Sequence, residues 1–505
     1  MSALRLALAT ALVAVTAALG GPASAATTTT AAAVPTTAVP TTGVPTTTPI
    51  RHFVMLMQSG HSYDNYFGTY PRGDGIPAGV CMPVNDARPD RGCVKPFRID
   101  NQPPEDLDHG FGIQQGQYDA GRMDGFVSAY RSFGRDGSIA MGYYDARDIP
   151  FYWNIADRFV LFDRFFSSAG AGSHLDYFYW LTGQAPPGGS DRIPTRGYTG
   201  VKTIFDELDA HGISWKFYVQ NYHPADRIGQ KTGTVNSFQR LRVPLLNFPA
   251  YAQNPRLMAH IADISQYYAD ARQDRLPAVA YVVSTNASEA PPGRIQAGEQ
   301  FTNRLVQELV KSPAWPSSAF LWTYDGWGGW YDHVRPPRVD AYGYGFRVPA
   351  LLVSAWARRG YTDHTVLDYT AALKFIDENW QLPPLPGRTT TSPGLMSAFD
   401  FEAAPRRTEL VGYDRTIPSF TYKGPLVYWT YGLAMGMAAV VLAATRLRSP
   451  RWLRGPRWLR SPRWLRSPRW LRSPRWLRGP RWLRSPRWLR RASWSRRSRS
   501  PGETS

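Results

Sequence analysis

Cysteine is nearly absent from this chain: 505 residues contain two, Cys81 and Cys93. Two thiols without histidines at ligand spacing exclude a cysteine-rich metal module, which needs more ligands. Acid is missing from one end. From Arg446 onward there are 20 arginines and a single acidic residue, Glu503, so that segment alone carries the +19 of the whole chain. Residues 1–445 hold 38 basic and 38 acidic side chains. A neutral body means that the overall basicity is no sign of a nucleic-acid-binding fold, and nucleic acid is not expected as a partner. Hydrophobic residues make up 43% and aromatic residues 13%, which excludes general disorder. With 44 Gly and 43 Pro, the body reads as a large, loop-rich globular domain with a sizeable core.

The ends of the chain predict its compartment. Arg5, an apolar run from Leu6 to Leu19 and the small-residue triplet Ala23-Ser24-Ala25 form a secretory signal pattern over residues 1–25. Residues 26–49, almost all Thr, Ala, Val and Pro, cannot build a core and read as an exposed linker. In an exported chain, two nearby cysteines point to a Cys81–Cys93 disulfide, with two free thiols as the alternative. After a juxtamembrane segment, 403–425, the 20 residues from Leu426 to Thr445 carry no charge. They open with Tyr428, Trp429 and Tyr431 and are followed by Arg446 and Arg448. This pattern predicts one transmembrane helix with the body outside and the basic tail in the cytoplasm, a single-pass cell-membrane protein. Gly432 and Gly436 are spaced as a helix-pairing motif.

The tail, 446–505, repeats Arg-Trp-Leu-Arg-Ser/Gly-Pro with a period of six. A proline in every repeat forbids a continuous helix, so the tail is expected to be irregular or polyproline-like. Arg beside Trp near the inner membrane face suits anionic lipid. Stacking on nucleic acid and a recent duplication with little function are the other readings.

Within 50–402, apolar runs of strand length (53–57, 159–162, 278–283, 319–322 and 348–353) alternate with stretches of helical spacing (204–211, 301–310 and 369–380). This predicts an α/β fold with a mainly parallel sheet covered on both faces, and sites beyond the carboxyl ends of its strands. Polar residues do follow the runs. Gln58-Ser59-Gly60-His61 comes after the first, Asp325 after the fourth, and the small-residue turn 167–174 after the second. Ser173 is placed in that turn as a nucleophile at a strand-to-helix junction would be, although Gly-rich loops containing Ser are common.

The segment His52 to Gln58, continued by His61-Ser-Tyr-Asp-Asn-Tyr-Phe-Gly68 and Asp74-Gly-Ile-Pro77, resembles the opening motif of the bacterial phosphoesterases that include phospholipases C and acid phosphatases. Gly121-Arg-Met-Asp-Gly-Phe126, Thr203-Ile-Phe-Asp206, Gly328-Gly-Trp-Tyr-Asp-His-Val334 and Gly345-Phe-Arg-Val-Pro349 follow in the same order. The resemblance covers 50–402 and implies an alkaline-phosphatase-like α/β/α sandwich. It also implies a transiently phosphorylated Ser or Thr and a divalent metal. Carried over residue by residue, it places Ser173 on the nucleophile, His109 on an active-site histidine, Asp325 on a metal carboxylate and Asp332 and His333 on the motif after it; His109, Asp332 and His333 are read as catalytic groups, and His61, just after the first apolar run, is read as a substrate contact. A metal offsets the charge of the phosphoester and helps ionise the attacking hydroxyl, while His or Asp protonates the leaving oxygen.

The chain departs from the family pattern at five positions. Ser59 and Gly60 stand where Glu and Asn are usual, Ala290 and Tyr369 where His is usual, and Gly326 where a second acid is usual. The expected metal set is therefore incomplete and the metal's identity open. Three functions compete: a membrane-tethered hydrolase of phospholipids or other phosphoesters, a catalytically impaired relative that binds phosphate or lipid, and an interaction protein that works through its tail.

Overall fold

The computed structural model of the protein describes residues 44–100, 106–170, 172–230, 237–285, 289, 294–413 and 437. The expected signal peptide, most of the linker, the span 426–445 apart from Met437 and the repeat tail lie outside the described residues. Among the described residues, no helix is long and apolar enough to cross a membrane. All of them except Met437 belong to one unit ending at Phe420.

Eight strands form the central sheet: β1 (His52–Gln58), β2 (Val160–Phe162), β3 (Trp215–Val219), β4 (Ile261–Asp263), β5 (Val279–Val283), β6 (Ser318–Tyr324), β7 (Ala350–Ser354) and β8 (Tyr361–Asp363). Their spatial order is β8-β2-β7-β6-β1-β5-β3-β4. β1 pairs in parallel with β6, His52 opposite Ser318 through Gln58 opposite Tyr324, and with β5 on its other side. β7 runs antiparallel to both of its neighbours, while the other ladders are parallel. The runs of β1, β5 and β6 are continuously apolar because both of their faces are covered. Every residue of these three strands is buried, as the sequence leads one to expect for a parallel sheet between layers.

Six helices bear on the site: α1 (Tyr63–Phe67), α2 (Ser173–Thr182), α3 (Ile204–Ala210), α4 (Ser237–Arg242), α5 (Ile295–Lys311) and α6 (Thr370–Trp380). α3 starts at a capping box, Thr203 accepting from the Asp206 amide and Asp206 from the Thr203 amide. α2 is preceded by the cap residue Gly172, whose φ of +87° is left-handed; a Cβ there would run into the Asp191 carboxyl, so glycine is required twice over.

The two cysteines are joined in a disulfide with Cα atoms 5.3 Å apart. It closes a small ribbon in which residues 82–83 pair antiparallel with 93–94.

Candidate active site

β1, β5 and β6 lie side by side and point the same way, so their carboxyl ends converge. Ser59 and Gly60 leave β1, Ser284 leaves β5 and Asp325 leaves β6. The ends are stitched together: the Asp325 amide donates to the Gln58 carbonyl (2.8 Å) and the Gly60 amide to Asp325 Oδ1 (2.9 Å). The Ser284 hydroxyl donates to Gln58 Oε1 (2.9 Å). Asp325 is 6% exposed. Burial pushes its carboxyl up from the usual range, opposed by the Arg242 charge, the Gly60 amide and His109.

At the start of α2 opens a cavity of about 640 Å³, bordered by Asp108, His109, Ser173, His174, Asp191 and Leu241 among others. Ser173 is the first residue of α2, a ten-residue helix, so its hydroxyl stands at the positive end of the helix dipole. His109 Nδ1–H donates to the Leu107 carbonyl (2.8 Å), which leaves Nε2 as the basic nitrogen. His109 also links the cavity to the strand ends, because it lies near enough to Asp325 for a proton on its ring to favour the carboxylate. The sequence-derived assignments of Ser173, His109 and Asp325 thus fall in one region.

The other three assigned residues fall elsewhere. His61 is wholly buried and its ring lies between Tyr66 and Trp330, with centroids at 4.3 and 5.9 Å. Its Nδ1 meets Asn65 Oδ1 at 2.7 Å and its Nε2 the Glu289 carbonyl at 3.2 Å. Burial lowers its pKa to about 4, so it is a neutral core residue that does not border the cavity. Asp332 and His333 belong to a charge cluster around Arg347, which is also wholly buried. Arg347 donates from Nε to both Asp332 oxygens (2.9 and 3.2 Å) and from Nη2 to Asp64 (3.0 Å), while His333 Nδ1 meets Asp64 Oδ2 at 2.7 Å. These pairs tie α1 to the loop after β6, and neither Asp332 nor His333 borders the cavity. The pairs fix the shape of this loop.

Several residues at the site escape sequence reasoning. Asp176 lies one helical turn after Ser173, a spacing that could have signalled it. Asp176 Oδ1 accepts from the Ala169 amide (2.9 Å), and burial raises its carboxyl well above the usual range. His174 Nε2 pairs with the Tyr198 hydroxyl, and burial lowers its pKa to about 4, so it too is neutral. The Asp191 carboxyl lies against Gly172 at the start of α2, where the Leu175 amide donates to the Gly172 carbonyl (3.0 Å). Arg242, at the end of α4, is 7% exposed. It donates from Nη1 to the Ser284 carbonyl (2.7 Å) and from Nη2 to Ser59 Oγ (2.8 Å). No local pattern marks it, because only the fold brings it to the strand ends.

The donor set does not fit a divalent metal. Such an ion takes about six or more oxygens, several of them carboxylate. Here Asp325 and Asp176 each spend an oxygen on a backbone amide, Ser59, Gly60 and Gly326 add no carboxylate, and a guanidinium stands against Ser59. Among the described residues no group of three or more His, Cys, Asp or Glu side chains is arranged to hold a metal.

Tyr369, at one of the altered positions, is wholly buried and its hydroxyl donates to the Tyr324 carbonyl at 2.5 Å. It is a packing residue.

Known proteins are similar to this chain in sequence. The chain is 28% identical over 418 residues to phospholipase C B of Mycobacterium tuberculosis (strain ATCC 25618 / H37Rv), covering 71% of this chain and 79% of the relative. It is 29% identical over 353 residues to non-specific phospholipase C1 of Arabidopsis thaliana, covering 63% and 62%. A solved structure of a protein in the alkaline phosphatase superfamily from Vibrio parahaemolyticus is 12% identical and covers 68% of this chain and 70% of its own, with a TM-score of 0.32. A score this low carries no argument, and the α/β class rests on the sheet itself. The model of the phosphoesterase family matches residues 50–383, and the chain therefore belongs to the phosphoesterase family, a family of hydrolases.

Proposed function

We propose that the protein is an extracytoplasmic phosphoester hydrolase of the phospholipase C or phosphatase type, anchored by residues 426–445 and acting through Ser173. The observation that carries this reading is the placement of Ser173 at the start of α2, on the same cavity as His109. Ser173 Oγ attacks phosphorus, and the bond to the leaving alcohol oxygen breaks as the new Oγ–P bond forms. The hydroxyl proton goes to His109 Nε2 and from there to the leaving oxygen; water then cleaves the phosphoserine. The positive end of the α2 dipole, at which Ser173 stands, favours the charge that develops on the phosphoryl group. The names of the relatives favour phospholipid headgroups as the substrate class. Behind the span, the Arg/Trp tail lies in the cytoplasm against anionic lipid.

A second reading, a relative that binds phosphate or lipid without turnover, draws support from the absence of side-chain ligands at Ser59, Gly60 and Gly326 and from the packed Tyr369. One comparison separates the two. The full chain in detergent is assayed on a chromogenic phosphomonoester, a phosphodiester and phosphatidylcholine beside Ser173→Ala. Turnover lost in the variant supports the hydrolase, and equal background in both proteins supports the second reading.

A further inference from the structure

We propose that Arg242 supplies the fixed positive charge of this site at the strand ends where the family resemblance leads one to expect a divalent metal, so that a phosphate group is bound without one. The inference rests on the reading that the Ser173 cavity takes a phosphoester.

Arg242 is not a surface arginine. Its guanidinium is held by the Ser284 carbonyl at the end of β5 and by Ser59 Oγ at the end of β1, at 2.7 and 2.8 Å. It is therefore fixed across two adjacent strand ends, and its charge acts on Asp325 at the end of the third and on Tyr177 in α2. Its neighbour in sequence, Leu241, borders the cavity with Ser173 and His109.

The residue types around it are consistent with this role. A glutamate at position 59 would form an ion pair with the guanidinium and cancel its charge. The Ser59 hydroxyl instead accepts one hydrogen bond and orients the group. A divalent ion at the same point would face a side chain that cannot lose its proton, and repulsion between like charges grows as water is excluded. A guanidinium also suits phosphate, because it is planar and always charged. The ligand class is a phosphomonoester, a phosphodiester headgroup or orthophosphate.

The test is calorimetric titration of the full chain in detergent with orthophosphate, once with EDTA and once with added Mg²⁺ or Ca²⁺. The dissociation constant is expected to agree within about twofold between the two conditions. Arg242→Gln should weaken binding about tenfold or more, the scale of a lost hydrogen bond to a charged group. Ser59→Glu, which leaves Arg242 in place, should weaken it similarly and gain no metal dependence. Binding in the wild type that EDTA abolishes and a divalent ion restores overturns the proposal. So does wild-type protein that does not bind phosphate, a folded Arg242→Gln that binds like wild type, or a Ser59→Glu protein that binds more tightly with metal. Should Arg242→Gln fail to fold, the Ser59→Glu arm decides. The two readings fail separately. Turnover lost in Ser173→Ala together with chelator-sensitive phosphate binding keeps the hydrolase and removes the Arg242 role. Chelator-insensitive binding that depends on Arg242, without turnover, does the reverse.

Discussion

Arg347 is the side chain whose removal the structure says the fold should tolerate least. Its guanidinium is 0% exposed. It donates to Asp332 and Asp64, both buried, and from Nη1 to the Asp74 and Asp163 carbonyls (2.8 and 2.9 Å), and it lies 4.5 Å from the centre of the Tyr63 ring. Arg347→Met keeps much of the volume but leaves two carboxylates buried without their cation. Breaking such a pair costs about 3–5 kcal/mol. The penalty should depend on pH in a known direction. Burial already raises Asp332 to about 6 with Arg347 in place, and losing Arg347 removes the attraction that opposes this rise. A carboxyl whose folded pKa lies above its unfolded value binds the extra proton in the folded state, so stability falls as pH rises through that range. The variant should therefore lose more at pH 8 than at pH 5. Urea unfolding of the solubilised full chain, followed by tryptophan fluorescence at both pH values, measures it. A loss below about 1 kcal/mol, or a loss equal at both pH values, would refute the claim that Arg347 neutralises a buried cluster.

Other perturbations test other parts. The Glu289 carboxyl receives hydroxyls from Tyr66 and Tyr152 (2.5 Å each) and Tyr324 (3.0 Å), yet burial raises it to about 7. The folded protein thus loses stability as pH rises from about 4.5 to 7, by about 3 kcal/mol for this group, and Glu289→Gln should flatten that slope in urea unfolding across the range. Replacing Cys81 and Cys93 together by Ser opens a short loop, a loss of about 3 kcal/mol by chain entropy, and should lower the melting temperature where reductant has no further effect. Deleting residues 446–505 should reduce binding to anionic vesicles but not to neutral ones, each arginine near the surface contributing about 1 kcal/mol; equal binding to both would remove lipid as the partner of the tail.

What could be read from the sequence, and what could not, follows from how far each signal reaches. β1, β5 and β6 announce themselves because strands covered on both faces are unbroken apolar runs. β4 and β8 have three residues each, too few for any periodicity, and β3 carries Lys216 inside its run. The reversal of β7 leaves no mark on its sequence, since a buried strand looks alike in either direction. Ser173 was legible as a small-residue turn at the start of a helix, and His109 and Asp325 through the ordered motifs. Asp332 and His333 share a motif with residues near the site, but adjacency in a loop does not fix where side chains point, and Arg347 draws these two away from the cavity. His61 follows the strand end closely, yet it is turned into the aromatic core. Arg242 shows the limit from the other side: its partners Ser59 and Ser284 stand 183 and 42 positions away, and only the sheet order brings them together.

The role of Ser173 is tested most directly by capture of its covalent intermediate. The full chain is mixed with a chromogenic phosphomonoester, quenched in acid during turnover, digested and read by mass spectrometry. A phosphoryl group on Ser173, absent from Ser173→Ala along with the turnover, is the expected result. Turnover by Ser173→Ala at the wild-type rate, or a phosphoryl group captured on another residue, would contradict it.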